Sequence, residues 1–197
     1  MGLDMYLERM PRYKNTTPRE VSAIESYFEW KRLKEDPKSK ARNYTLKEWC
    51  GVDFKSLPAK HIRDFYERHG SFGYANWDVE QKYSGRYRII EEVGYWRKAN
   101  HIHNWFVKNI QNGIDDCCYH NEVTKEDLEE LRDICHEIIC NKDLAELRLP
   151  TRSGFFFGGT DYDEYYFDDI RTTMDIITTV LETTNFDTHM ICYISSW

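Results

Sequence analysis

Gly94-Tyr95-Trp96-Arg97-Lys98-Ala99-Asn100-His101-Ile102-His103-Asn104-Trp105-Phe106-Val107-Lys108-Asn109-Ile110 is the stretch on which the reading of the chain turns. Taken as a helix from about Trp96, it carries Ala99, Ile102, Phe106 and Ile110 at helical spacing, a buried stripe. Arg97, His101, Asn104 and Lys108 recur on a second face, and Trp96, Asn100, His103 and Val107 form a row between. So much hydrogen-bonding and stacking chemistry in so few residues marks the wall of a site.

Outward from this segment, the ends of the chain read as strands. Leu3, Met5 and Leu7 alternate with Asp4, Tyr6 and Glu8, and His189 to Trp197 alternates again. Arg86 to Ile90 is a further strand candidate, and so is Phe155-Phe156-Phe157. Thr17 followed by Pro18 predicts a helix to about Glu35, with Val21, Ile24 and Phe28 inward. Thr45-Leu46-Lys47-Glu48 fits a capping box. Leu57-Pro58 opens another helix, closed by Gly70, and residues 70–85 read as a long loop. Thr124 caps a helix carrying Leu128, Leu131, Cys135 and Ile138. Thr160 or Asp161 caps a long one to about Thr184, with Tyr166, Ile170, Met174 or Thr173, Ile177 and Leu181 buried. The expected fold is α+β, a small, mostly antiparallel sheet of terminal and central strands packed with about five helices. The 197 residues are read as one domain, 1–197.

Charge is unevenly spread over a net −7. Residues 1–110 hold 21 Lys and Arg against 15 Asp and Glu, and residues 111–197 hold 6 against 19. The plain expectation is that the two parts attract each other. An acidic face that mimics nucleic acid, or one that keeps the protein dissolved, are the other readings. Direct nucleic-acid binding is disfavoured, because no basic excess drives counterion release. No window reads as a transmembrane span or signal peptide, so the expected place is a cytoplasm with its six cysteines reduced.

Three places carry candidate chemistry. Trp96, Arg97 and Lys98 near a helix start suit a stacked ring and an anion, with Asn100 and His103 to read polar edges. Phe157-Gly158-Gly159-Thr160-Asp161 has the strand, glycine turn and helix start that cradles anions, yet lacks the spacing of a P-loop or dinucleotide fold. The carboxylates after it, Asp161 and Asp163 first, can answer the cations, hydrogen-bond a ribose or hold a divalent ion. The alternatives are a tight turn, an N-cap and a solvated helix start. His101-Ile102-His103 would grip a metal on a strand, but on a helix the two rings diverge. No metal, cofactor or catalytic residue is assigned.

Three blocks carry a resemblance: Met1-Gly2-Leu3-Asp4-Met5-Tyr6-Leu7, then Tyr95 to Val107, then Gly154-Phe155-Phe156-Phe157-Gly158 with acidic and tyrosine residues after it. Over roughly 40 residues the chain resembles a family of small accessory proteins from bacterial viruses and prophages, the middle block being the most specific. The resemblance implies action in the cytoplasm of a bacterial host, where such proteins often counter defence. The expected function is binding of a small anionic, nucleotide-derived ligand through Trp96, Arg97, Lys98, Asn100, His103, Gly158, Gly159, Asp161 and Asp163. Alternatives are inhibition of a host defence protein by contact through the acidic residues 111–197, and a phosphoester hydrolase using His101 or His103. Exposed aromatics also make a homo-oligomer plausible.

Overall fold

A computed structural model describes residues 2–12, 17–50 and 90–197. The expected helix after Leu57-Pro58, the loop at 70–85 and positions 86–89 of the expected strand lie outside the described residues, as do the side chains of Ile24 and Phe28. The chain forms two compact units, Met1–Arg12 with Glu92–Trp197, and Tyr13–Glu91.

The second unit begins with α1 (Pro18–Glu35), which starts where the sequence predicts. Thr17 accepts from the Glu20 N–H, and the Glu20 carboxylate accepts the Thr17 N–H at 2.7 Å, so two orphan donors are satisfied reciprocally. The same device, Thr45 with Glu48, opens α2 (Leu46–Cys50). The Trp30 indole N–H donates to the Tyr44 carbonyl at 3.2 Å and ties α1 to the connector before α2.

The first unit is built on a four-stranded sheet. Its strands are β1 (Asp4–Pro11), β2 (Glu91–Arg97), β3 (Asn121–Val123) and β4 (His189–Ser196), in the order β2-β1-β4-β3. β1 and β4 pair antiparallel in the centre, from Asp4 opposite Ser196 to Pro11 opposite His189, and β3 pairs antiparallel with β4. The Lys98 N–H donates to the Leu3 carbonyl at 2.8 Å, while Gly94 packs on Leu7, so β2 also runs antiparallel to β1. Alternation places Leu3, Met5 and Leu7 on one face with Tyr193, all fully buried. The α+β architecture with a small antiparallel sheet is as expected.

Four helices belong to this unit: α3 (Asn100–Asn109), α4 (Lys125–Cys140), the short α5 (Ala145–Arg148) and α6 (Glu164–Thr183). Thr124 and Asp127 form the capping box of α4, whose Leu128, Leu131, Cys135 and Ile138 are buried. They share one core with Ile102 and Phe106 of α3, Ile170 and Ile177 of α6, and the sheet. Phe106 stacks flat on Tyr193, centroids 4.0 Å apart. Among the described residues no helix is long and apolar enough to cross a membrane.

Local expectations are corrected at four points. The central helix starts at Asn100, not Trp96, because residues 91–97 are drawn into the sheet and Lys98 turns left-handed, φ 63°. Phe155-Phe156-Phe157 is a turn, not a strand. The Phe157 N–H donates back to the Gly154 carbonyl, and a Cβ at Gly154 would lie 2.6 Å from the Phe157 ring. The N-cap of α6 is Asp163, which accepts the Tyr166 N–H at 3.1 Å. Thr160 is committed elsewhere, its carbonyl accepting the Thr151 hydroxyl at 3.0 Å. In α6 the buried row takes Thr173, one of the two residues expected there, and Val180 in place of Leu181.

Gly94 sits where β2 meets α6, and a Cβ there would stand 2.5 Å from Ile176 Cγ2. Gly94→Ala is therefore expected to cost about 1–3 kcal/mol through overpacking, read as a lowered urea midpoint.

Candidate functional site

Asn100 opens α3, is buried, and organises the loop that follows α5. Its amide N–H groups donate to the carbonyls of Phe157 (3.1 Å) and Gly159 (2.7 Å), and its side-chain oxygen accepts the Arg152 N–H at 2.8 Å. One side chain thus pins both ends of the segment 152–159. Lys98, just before it, packs its backbone on Gly158. A Cβ at Gly158 would stand 3.1 Å from Lys98 Cβ and 3.3 Å from its carbonyl oxygen, and Gly158 has φ 90°. Glycine is required there on both counts. The glycine turn and the start of α3 are therefore brought together, and Asn100 is what joins them.

Other expected members are placed differently. Trp96 is only 2% exposed, and its indole N–H donates to the Thr173 hydroxyl at 2.9 Å. Its ring lies 6.1 Å from that of Phe106, so Trp96 is a core residue with no face open to a ligand. Arg97 is exposed at the end of β2, its Nε 3.9 Å from the Asp4 carboxylate. Asp163 is taken up as the α6 cap, and Asp161 is exposed nearby.

His103 is fully buried. Its Nε2 lies 3.0 Å from Asp115 and its Nδ1 2.7 Å from the Tyr193 hydroxyl. An ionised carboxylate only accepts, so Nε2 carries the proton and Tyr193 donates to Nδ1. Burial pushes the His103 pKa down, Asp115 opposes this, and Arg152 adds to it. The ring reads no ligand edge, because both nitrogens are in use. It acts as a post beneath Asp115, whose carboxylate also meets Arg152 at 3.5 Å and the Trp197 indole N–H at 3.3 Å. Phe157 stands edge-on to both His103 and Trp197, with the Arg152 guanidinium 5.8 Å from its ring.

The result is a surface rim. Phe157 and Gly158, adjacent in sequence, place Trp197 and Arg152 on one side and Lys98 on the other. Lys98 is exposed and has no carboxylate partner among the described residues. Trp197 is 47% exposed. Cations, an open glycine turn and an aromatic face can together receive an anion attached to a flat ring. Arg152, Asp115, Tyr193 and Trp197 were missed by sequence reasoning. Only Arg152, two residues before Gly154, left a signal, a cation leading into a glycine turn.

His101 does not join His103. It lies in the core against Tyr166, ring centroids 4.1 Å apart, and its Nε2 has no partner among the described residues. Nor do three His, Cys, Asp or Glu side chains converge as a metal site among the described residues. Compared with known proteins, the chain matches no family profile, no curated protein and no solved structure.

Burial depresses the His101 pKa from 6.5 to about 3. Below 6.5 the unfolded chain gains a proton that the native ring refuses, so stability present above that pH falls as pH drops towards 3. The loss approaches about 1.4 kcal/mol per pH unit per histidine, and His103 acts in the same direction. His101→Phe keeps a ring against Tyr166 and removes this contribution. Urea unfolding at about pH 7 and about pH 5 is expected to show a shallower loss for the variant than for the parent.

Proposed function

We propose that this protein works by binding, and that its ligand is a small anionic, nucleotide-like molecule seated on the rim of Lys98, Arg97, Arg152, Gly158, Gly159 and Trp197. Lys98 and Arg152 meet phosphate, the peptide groups of the glycine turn line the approach, and the exposed Trp197 indole replaces the buried Trp96 as the stacking surface. The observation that carries this is Lys98. A lysine in left-handed backbone is strained, and glycine would relieve it. Its ammonium is exposed and unpaired among the described residues, whereas Arg132, Arg148, Arg152 and Arg171 all take carboxylates. Sequestration is favoured over turnover because the two histidines that would serve a hydrolase are sealed in, His103 with both nitrogens bonded and His101 in the core. With the resemblance to viral accessory proteins, the ligand becomes a nucleotide-derived defence signal, and the site of action the cytoplasm of a bacterial host.

One observation favours a second reading, inhibition of a host protein by contact. Phe155 is 94% and Tyr165 81% exposed, within a segment that also carries Asp161, Glu164 and Asp168. Exposed rings among carboxylates suit a basic partner surface.

Native mass spectrometry of the protein from its expression host, then calorimetry against a nucleotide panel, separates the two. The first reading expects a bound nucleotide whose affinity falls about tenfold or more in Lys98→Ala and in Trp197→Ala, with folding intact. No binding across the panel, together with loss of a pulled-down basic protein in Phe155→Ser/Tyr165→Ser, would move the assignment to the second.

A further inference from the structure

The turn Asp116-Cys117-Cys118-Tyr119 connects α3 to β3 and lies outside the rim's ligand-facing groups. Its closing bond runs from the Tyr119 N–H to the Asp116 carbonyl at 3.3 Å, so the two cysteines occupy its central positions. Asn121 holds the turn, donating to both Asp116 carboxylate oxygens at 3.0 and 3.2 Å and to the Tyr119 carbonyl at 3.1 Å. The Cys118 N–H donates to the Ser195 carbonyl at 2.7 Å, which fastens the turn to β4. Within it the two thiol sulfurs stand 3.2 Å apart, Cys118 exposed and Cys117 half-buried.

Cys118 has φ 69°. A residue with a Cβ in this region is strained and persists only where its surroundings enforce it. Glycine or asparagine would relieve that strain, and the chain has cysteine. Cys140, also exposed, stands on α4 with no second thiol beside it among the described residues, so the pairing at 117–118 does not follow from exposure alone.

We propose that Cys117 and Cys118 form a reversible dithiol–disulfide modification site, oxidised by a peroxide. The Cys117 thiolate attacks one peroxide oxygen. The O–O bond breaks, the departing hydroxide leaves as water, and Cys117 becomes a sulfenic acid. Cys118 sulfur then attacks the Cys117 sulfur, the S–O bond breaks, and a second water leaves. Two thiols and one hydrogen peroxide give one disulfide and two waters, the sulfurs oxidised and the peroxide oxygens reduced. The hydrogen bond with Cys117, then burial, push the Cys118 thiol up, which suits it to the second, resolving role. Neighbouring Cα atoms are about 3.8 Å apart, shorter than the roughly 4.4–6.8 Å most disulfides span, so the closed ring is strained and returns readily to thiols.

The test is peptide mapping of the full chain after a brief hydrogen peroxide pulse and iodoacetamide, with Cys140 as the internal standard. The expected result is the simultaneous loss of both alkylation sites at 117 and 118, on a peptide lighter by two hydrogens, fully regained with dithiothreitol while Cys140 still alkylates. In Cys118→Ser, which is isosteric and checked for its melting temperature, that species should vanish and Cys117 should advance to sulfinic acid. The proposal is overturned if Cys117 and Cys118 remain alkylatable once Cys140 is oxidised, or if both over-oxidise without passing through the lighter peptide.

Discussion

A helix closed in on every side cannot leave its polar side chains to water, and α3 is such a helix: Asn100 through Val107 are all buried. Each polar group there must find a partner or carry a desolvation cost. Asn100 takes the loop at 152–159, Asn104 takes the Pro150 carbonyl at 3.2 Å, and His103 takes Tyr193 and Asp115. Three segments far apart in sequence, the glycine loop, the last strand and the turn after α3, are thereby held against one element. The rim is a by-product of that constraint. Only the groups that α3 does not consume, Lys98, Arg152 and the Trp197 ring, are left facing outward.

Electrostatics follow the same division. Within residues 111–197 the arginines pair locally, Arg132 with Asp133, Arg148 with Glu137, and Arg171 with Glu164 and Asp168, which leaves that part strongly acidic. Arg12 with Glu122, at 2.6 Å, does cross from the basic part to the acidic one, as the charge distribution suggested. These pairs are mostly exposed and contribute little each. Asp161 stays exposed beside them, while Glu164 is shared between Arg171 and, at 3.9 Å, Lys142.

Local rules were legible in the chain, and distant ones were not. Thr17 with Glu20, Thr45 with Glu48 and Thr124 with Asp127 are caps whose partners lie three residues away, and alternation at Leu3-Met5-Leu7 needs only a single strand. The start of α3 misled because Trp96, Asn100, His103 and Val107 fit a helical row as well as a strand followed by a helix. Only pairing with β1, some ninety residues earlier, decides between them. The polar row that periodicity finds, His101 and Asn104 included, is turned inward in a helix buried all round. Asp115, Tyr193 and Trp197 meet His103 or one another across the fold, and no spacing announces them.

The pairing of β1 with β4 has a consequence for how the protein comes into being. Residues 4–11 find their central partner only at 189–196, after nearly all of the chain between them has been synthesised. Until then the row Leu3, Met5 and Leu7 has one finished edge at most, from β2, and an apolar strand edge stays open to other chains. Such a sheet has high contact order and closes late, so in a translating cell its first strand depends on being shielded, by chaperones or by speed, until its last arrives.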